Sequence, residues 1–375
     1  MNFGPSNFKK QIPLFMPNVP EIAKSRVQET LNTRWIGQGP QVDEFEMRFS
    51  RTFCDNSPVA AVGSGTDALH LAYLLANISK GDEVIAPVFT CTATNIPLLY
   101  IGAKIIFADI DPRTLNIDPR DVRQKITKNT KAIVCVHYGG LPCDMEELQE
   151  LADEFGIPII EDAAHAVGAK YDGHSIGSIS DFTIFSFQAI KHITTGDGGM
   201  VSFRNSELLP LAKKLRWFGI DRVSKEKGIW DNDINEIGYK YQMTDIAASM
   251  GLGGLDVWTD TESLREKLYR HYVVELQTAE RVQIVDDFST RKKHAHWMFT
   301  ILVEERAELQ KLLLSQGIES GQVHYRNDRY SIFKESKGEF PNMDSIENKY
   351  LVLPLHTGMN IEDVKRICNI IKNDW

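Results

Sequence analysis

The sequence predicts an α/β fold in which a mostly parallel sheet is flanked by helices, followed by a smaller C-terminal α+β domain. From about residue 58 to residue 181, short apolar runs typical of buried strands alternate with segments of helical periodicity. Such alternation is typical of parallel sheets. It then loosens, and a charged helical stretch precedes a second group of apolar runs. We therefore expect a large domain with an N-terminal arm over residues 1–255 and a small domain over 256–375.

The elements are assigned in order along the chain. The arm leads into a Gly-Gln-Gly-Pro turn at 37–40, which precedes an amphipathic helix. The expected strands of the large domain span 58–62, 83–87, 104–110, 131–138, 157–163, 182–187 and 198–203. Its expected helices span 66–78, 144–156 and 206–218, and a long linking helix lies within 251–280. The small domain is expected to hold a strand over 296–303 and helices over 307–317 and 361–372.

Composition excludes several classes of protein. Apolar residues make up 42% and charged residues 25% of the 375 residues, which rules out a disordered or fibrous chain. The net charge of −9 argues against a nucleic-acid partner. The five cysteines show no Cys-x-x-Cys spacing, so we expect a reducing compartment, no disulfide framework and no metal site.

No segment indicates a membrane span or a secretion route. The N-terminal residues lack a continuous apolar run, so we expect no signal peptide. The longest uncharged stretch, 84–103, contains two prolines, an asparagine and several threonines. It fits a buried strand, a turn and a helix better than a membrane span. We therefore expect a cytoplasmic protein.

The first candidate site is the glycine-rich turn Val-Gly-Ser-Gly-Thr-Asp-Ala at 62–68, between an expected strand and an expected helix. Glycines let backbone amides approach a phosphate, and a helix N-terminus favours its charge. The spacing also matches a dinucleotide-binding fingerprint, which needs an acidic residue at the end of the next strand. Asp82 and Glu83 stand at the beginning of that strand instead. Phosphate binding and a plain tight turn both remain open for this turn, and a NAD-dependent oxidoreductase is disfavoured.

Two further candidates follow expected strands. Glu161 and Asp162 lie at the carboxyl end of an apolar run, with His165 three residues beyond Asp162. Ligand sites of α/β folds occur at such ends, although both acids could instead be solvated. Lys191 lies between an apolar strand and a glycine-rich turn, five residues after Ser186. A lysine there either extends to solvent or bonds a carbonyl as a neutral amine.

Together the turn, the aspartate and the lysine indicate a cofactor. Pyridoxal phosphate needs a phosphate cup, a carboxylate at its ring nitrogen and a lysine for its aldehyde. These features occur in the chain in the order of the turn at 62–68, Asp162 and Lys191.

At these motifs the chain resembles the DegT/StrS sugar aminotransferases, which have the aspartate aminotransferase fold (fold type I). The resemblance runs nearly end to end and includes RWIGQGPQVDEFE, AVGSGTDAL, IIEDAAHAVGA, SFQAIKHITTGDGG, LRWFGIDR, GYKYQMTDIAAS, VHY and LVLPLH. It implies that Lys191 bonds the cofactor's aldehyde, that Asp162 pairs with its ring nitrogen and that His165 contacts its ring hydroxyl. It also implies that Gly65, Thr66 and Ser186 hold the phosphate.

The resemblance further implies a homodimer with shared active sites, completed by the partner's GYKYQMTD segment. The family usually has asparagine where this chain has Lys240, and a lysine still serves an anion as a point charge. The family often stacks an aromatic residue on the cofactor ring. That position aligns with Cys91, and Phe89 is the alternative.

A last motif, VHYRNDRYSIF, resembles the family's substrate loop but lacks its proline. His324 and Tyr325 are therefore candidate substrate-binding residues. Arg326 and Arg329 are candidates for an acceptor's phosphate, with solvated arginines as the equal alternative.

The resemblance implies transfer of an amino group from an amino acid, L-glutamate, to a keto-sugar nucleotide for surface polysaccharide. A small phosphorylated ketone or a keto-inositol is an alternative acceptor. A related class of dehydratases replaces the lysine with histidine, and Lys191 favours transamination over that reaction. A non-catalytic regulator is disfavoured because no basic helix-turn-helix segment is present. A scaffold protein would not need Lys191.

Overall fold

The computed structural model describes residues 11–222, 224, 228–229, 231 and 233–375. Its centre is a seven-stranded sheet with the strand order β1-β10-β9-β6-β5-β2-β4. Five strands from β9 to β4 are parallel, whereas β10 runs antiparallel to both β9 and β1. These seven strands are Val59–Val62 (β1), Glu83–Pro87 (β2), Lys104–Ala108 (β4), Thr130–Val136 (β5), Ile159–Asp162 (β6), Phe182–Ser186 (β9) and Gly199–Phe203 (β10). All seven predicted strands are confirmed, and so is the α/β fold class.

The sheet is buried on both faces. Alternate side chains of a strand point to opposite faces, and β5 accordingly sends Ala132 and Val134 into one apolar core and Ile133 and Cys135 into the other. Helices cover both faces, as expected for parallel strands. The helices that precede β10 in the chain are Glu21–Leu31 (α1), Pro40–Phe53 (α2), Gly65–Leu75 (α3), Thr92–Ile101 (α4), Pro119–Lys125 (α5) and Met145–Phe155 (α6).

The start of α2 is fixed from a distant part of the chain. The Asp245 carboxylate accepts the amides of Gly39, Gln41 and Val42 at 2.7, 3.2 and 3.1 Å. In return the Asp245 amide donates to the Gly37 carbonyl at 2.6 Å. First-turn amides have no partner within their own helix, so a residue of the GYKYQMTD segment completes this helix end.

Two predicted helices differ from the structure. The segment after residue 205 is a 3₁₀ turn at Ser206–Leu208 followed by Leu209–Leu215 (α7), shorter than expected. The long linking helix is two helices, Asp245–Asp256 (α8) and Trp258–Leu276 (α9), separated at Val257, which has a non-helical φ of −110°. The glycines of α8 serve packing, because a Cβ on Gly253 would lie 2.4 Å from Cα of Ala23 in α1.

The C-terminal part forms a three-stranded sheet, β11-β13-β15, with helices on it. Its strands are Gln283–Ile284 (β11), Phe299–Leu302 (β13) and Tyr350–Leu353 (β15), and its helices are Arg306–Ser315 (α10), Pro341–Ile346 (α11) and Ile361–Asn373 (α12). A separate apolar core lies here, but Trp297 and Phe333 join the core of the large sheet. The domain boundary near residue 256 therefore stays a prediction.

Among the described residues, five further two-residue strands are Phe89–Thr90 (β3), Lys170–Tyr171 (β7), His174–Ser175 (β8), Lys292–Lys293 (β12) and Tyr325–Arg326 (β14). The antiparallel pair of β14 with β3 joins the C-terminal part to the segment before α4. Among the described residues, no helix combines the length and apolar character that crossing a bilayer requires.

Candidate active site

A cavity of about 330 Å³ lies at the carboxyl ends of β5, β6 and β9. Parallel strands place ligand sites at this edge. Its lining brings together three predicted features, which are the turn before α3, Asp162 and Lys191. Trp297 and His324 enter it from the C-terminal part.

One end of the cavity is the N-terminus of α3. Ser64 caps this helix, and its hydroxyl accepts the Asp67 amide at 3.0 Å. The turn is tightly packed against the sheet, because a Cβ on Gly65 would lie 2.9 Å from Cβ of Ser186. On Gly199 of β10, a Cβ would lie 2.3 Å from the Ser64 carbonyl oxygen. The helix N-terminus, Thr66 and the Ser186 hydroxyl form a cup whose chemistry suits a phosphate.

Asp162 ends β6 and is buried. One carboxylate oxygen accepts the Ala164 amide at 3.0 Å, and the other accepts the Thr94 hydroxyl at 2.8 Å. Burial raises the pKa of Asp162, while these two bonds and the charge of Lys191 oppose the shift. Two of about four acceptor positions of a carboxylate are therefore used, and the rest can meet a further donor.

Lys191 follows β9 and has an exposed fraction of 9%. Its Nζ lies 3.7 Å from the centre of the Trp297 ring. No ion pair joins it to a carboxylate among the residues that the structure describes. Burial lowers the pKa of Lys191 to about 8, with opposite contributions from Cys91 and Asp162. About a tenth of this amine is thus neutral, and hence nucleophilic, at pH 7, far more than for a lysine with an ordinary pKa.

His165 lies in a stack of rings beside the lysine. Its ring is 3.9 Å from that of Trp297 and 5.1 Å from that of His324. Burial lowers the pKa of His165 well below its usual range, so the ring is neutral. Its Nδ1 is buried and has no hydrogen-bond partner within the described ranges. Such a buried polar atom is costly unless something pairs with it.

Two residues of this site escaped the sequence analysis. Trp297 falls at the edge of an apolar run that predicts a strand, and a tryptophan there gives no separate signal. Thr94 sits in an uncharged run, and only the folded chain brings its hydroxyl to Asp162.

The substrate-loop candidates separate in the structure. His324 lines the cavity, with its Nε2 buried and unpartnered among the described residues. Tyr325 and Arg326 do not line it; they form β14, where Tyr325 is partly exposed. The Arg326 guanidinium pairs with Asp328, Asp344 and Glu347, so three carboxylates occupy the group that was a candidate for an acceptor's phosphate. The Arg329 guanidinium instead lies 4.8 Å from the centre of the Tyr325 ring.

Lys240 and the two candidates for ring stacking also occupy distinct places. Lys240 is exposed outside this cavity, with its Nζ 3.5 Å from the centre of the Trp217 ring. Phe89 is buried away from the cavity, 5.2 Å from the Tyr138 ring and 5.0 Å from the Tyr350 ring. Cys91, in contrast, lines the cavity.

The donor set of the cavity fits pyridoxal phosphate. A buried lysine with a lowered pKa suits the aldehyde, a carboxylate with spare acceptor positions suits the ring nitrogen, and a helix N-terminus suits the phosphate. The orphaned Nδ1 of His165 adds a polar atom that needs a partner.

Comparison with known proteins agrees with this fit. Residues 18–372 match the DegT/DnrJ/EryC1/StrS aminotransferase family. GDP-perosamine synthase of Escherichia coli O157:H7 is 36% identical over 96% of this chain and 98% of its own length. Spore coat polysaccharide biosynthesis protein SpsC of Bacillus subtilis is 33% identical over 96% of this chain and 97% of its own length.

A solved structure, the PLP form of Spr1654 from Streptococcus pneumoniae, superposes with a TM-score of 0.90 at 28% identity. The match covers 97% of this chain and 98% of that one. The chain therefore belongs to the DegT/DnrJ/EryC1/StrS aminotransferase family and is a pyridoxal-phosphate-dependent aminotransferase.

Proposed function

We propose that this enzyme transfers an amino group from L-glutamate to the keto group of a nucleotide-activated deoxysugar. The observation that carries the proposal is the single cavity joining Lys191, Asp162 and the N-terminus of α3. The names of the relatives, which refer to a GDP-linked amino sugar and to spore coat polysaccharide, support a sugar acceptor used for a surface glycan.

Lys191 is the proposed catalytic residue. Bound pyridoxal phosphate supplies an aldehyde that accepts the amino group and a ring that delocalises the electrons of a carbanion. The Lys191 amine would hold the cofactor through this aldehyde. As a free amine, Lys191 would take up the donor's α-proton and later deliver it, acting as general base and then general acid. A pKa of about 8 suits both roles, because each protonation state is populated near neutral pH.

The remaining proposed residues bind and orient the cofactor. Asp162 holds a positive charge on the ring nitrogen, and the free Nδ1 of His165 supports its contact with the ring hydroxyl. Gly65, Thr66 and Ser186 bind the phosphate. Since Lys191 and Asp162 are buried, their contact with bulk water is small.

The acceptor is proposed to enter past His324, which lines the cavity together with Val323 of the same loop. Tyr325 is partly exposed beside it and remains a proposed substrate contact. For Arg326, which was a candidate substrate contact, we propose support of this loop instead, because its guanidinium pairs with three carboxylates.

We also propose a cytoplasmic homodimer with shared active sites. Large apolar side chains are exposed on the arm and near the GYKYQMTD segment, namely Ile22, Leu31, Trp35, Ile36, Phe218, Ile234 and Ile237. Contiguous exposed apolar surface typically marks an interface, and we propose that these side chains form one. Lys240 lies on the same segment and outside the cavity of its own chain, and we propose that it reaches the cofactor phosphate of a partner.

The test is the absorbance spectrum of the purified protein with pyridoxal phosphate, before and after L-glutamate is added. We expect a visible band from the lysine-bound cofactor that falls as the band of the amine form rises. Keto-deoxysugars linked to GDP and to TDP, added next, should restore the first band if they are acceptors.

Two variants make this test specific. Lys191→Ala should abolish the lysine-bound band, whereas Lys292→Ala removes another buried lysine, one that pairs with Asp144 and Asp287, and should keep it. A visible band that does not change when L-glutamate is added would overturn L-glutamate as the proposed donor. After L-glutamate, the first band could return on addition of a phosphorylated ketone or a keto-inositol and not on addition of sugar nucleotides. That result would overturn the proposed acceptor.

A further inference from the structure

Two threonines form a buried chain of hydroxyls behind the cavity. Thr90 Oγ1 lies 2.9 Å from Thr94 Oγ1, which in turn lies 2.8 Å from Oδ2 of Asp162. The exposed fractions of Thr90, Thr94 and Asp162 are 1%, 0% and 4%. Both distances are those of good O–H···O bonds.

Chemistry fixes the direction of this chain. An ionised carboxylate only accepts hydrogen bonds, so Thr94 donates its single hydroxyl proton to Asp162. Thr94 then has only lone pairs to offer, and Thr90 must be the donor between the two threonines. The chain therefore runs from Thr90 through Thr94 to Asp162, and it presupposes a carboxylate at its end.

The backbone holds both threonines in place. Thr90 ends β3 and Thr94 lies in the first turn of α4. The Thr94 carbonyl accepts the Tyr73 hydroxyl at 2.7 Å, and the Thr90 carbonyl accepts Nδ2 of Asn327 at 2.8 Å. These two bonds fix the backbone positions from which the two hydroxyls extend.

Other groups around Asp162 make the contribution of Thr94 decisive. Its second oxygen accepts only the Ala164 amide among the described residues. The charges of Lys191 and His137 lower the pKa of Asp162. The charge of Asp162 in turn raises the pKa of Tyr73 and of Cys135. Burial favours the neutral acid, so losing the Thr94 donor would shift the balance toward that acid.

We infer that Thr94, oriented by Thr90, is a positioning residue that keeps Asp162 a carboxylate facing the ring nitrogen of the cofactor. This inference rests on the proposed role of Asp162. If the donor is lost, the carboxylate becomes more basic and retains the proton that would otherwise sit on the ring nitrogen. The ring then carries less positive charge and withdraws electrons less strongly from the reacting carbon.

The experiment uses the intact enzyme loaded with pyridoxal phosphate labelled with ¹⁵N in its ring. The ¹⁵N chemical shift at one fixed pH reports whether the ring nitrogen carries a proton. The dissociation constant of the cofactor, titrated into the apo-enzyme, is a second readout. Thr94→Val removes the hydroxyl at similar size, Thr94→Ser keeps it, and Asp162→Asn serves as the reference for a ring without its carboxylate.

We expect Thr94→Val to move the ¹⁵N shift toward that of Asp162→Asn and to weaken cofactor binding about tenfold, the effect of one hydrogen bond to a charged group. Thr94→Ser should match the parent enzyme. Thr90→Val, which leaves Thr94 in place, should move the shift in the same direction with about threefold weaker binding, as for one neutral bond. If Thr94→Val does not fold, Thr90→Val is the variant that tests the inference.

Three results would overturn the inference. An unchanged ¹⁵N shift in a folded Thr94→Val, or in Thr90→Val if the former does not fold, would show that the hydroxyl chain does not act on the ring. Equal changes in Thr94→Val and Thr94→Ser would assign the effect to packing. An unchanged shift in Asp162→Asn would remove the proposed role of Asp162 itself, and the inference with it.

Discussion

Glu161 and Asp162 are neighbours on β6, and both are buried. Because they point to opposite faces of the sheet, they meet different surroundings. Glu161 accepts hydrogen bonds from the His137 ring at 2.8 Å, the Thr183 hydroxyl at 3.0 Å and the Ser180 amide at 3.2 Å.

Asp162 accepts two hydrogen bonds and faces a cavity. The same contrast separates the buried lysines. Lys292 pairs with two carboxylates, whereas Lys191 has no ion pair among the described residues. A buried charge with a complete set of partners stabilises the fold, and one with spare capacity is available to a ligand.

The largest effect should come from Asp162→Asn. We expect kcat to fall by up to about a thousandfold, or about 4 kcal/mol, because a preorganised charge at the reacting ring is lost. The melting temperature should change little, since the amide keeps the shape and an acceptor for Thr94. Steady-state kinetics and thermal unfolding of the same preparation check both. A variant with near-normal kcat would erase the distinction between the two acids.

Glu161→Gln should show the reverse pattern. We expect a loss of about 3 kcal/mol in the free energy of unfolding, because the buried bond to His137 loses its charge. The effect on kcat, measured below the melting transition, should stay within a few fold. Denaturant unfolding gives the first quantity. An unchanged midpoint would mean that the completed partner set adds no stability.

The two lysines should differ in their reaction with pyridoxal phosphate. In the apo-enzyme, the rate at which Lys191 bonds the aldehyde should rise about tenfold per pH unit up to pH about 8 and then level off, because only the neutral amine reacts and burial lowers the pKa of Lys191 to about 8. Burial also acts on Lys292, but its bonds to Asp144 and Asp287 outweigh it and raise the pKa of Lys292.

Stopped-flow absorbance over a pH series measures this rate. Reduction of the bond at neutral pH, followed by peptide mass spectrometry, should find the label on Lys191 and not on Lys292. A rate that keeps rising well above pH 8 would contradict the shifted pKa.

The smallest effect should come from His165→Phe. Loss of one neutral hydrogen bond to the cofactor should weaken its binding about fivefold, while the phenyl ring preserves the stack on Trp297. His192→Phe is the matched control, since His192 is buried next to Lys191 but does not line the cavity. Its cofactor affinity should equal that of the parent, and equal losses in both variants would argue against a specific role for His165.

Much of this architecture is predictable because its signals are local. Apolar runs mark the strands of the large sheet, and polar residues at their carboxyl ends meet at one edge by topology alone. The sequence therefore predicts that Asp162, Lys191 and the turn at Gly65 belong to one site. Contacts between residues that are distant in the sequence could not be predicted in this way. The three carboxylates that pair with Arg326 come near it only in the folded chain. The position of Trp297 depends on how the C-terminal part packs.

The phosphate cup described above also bears on when the enzyme becomes competent during synthesis. Its turn at Ser64 is formed early in the chain, but it packs against Gly199 of β10, and β10 is the strand that pairs with β1. Trp297 and His324 reach the cavity from later still. A nascent chain therefore cannot assemble the cofactor pocket until the segment that carries His324 has left the ribosome, so cofactor capture is a late reporter of folding.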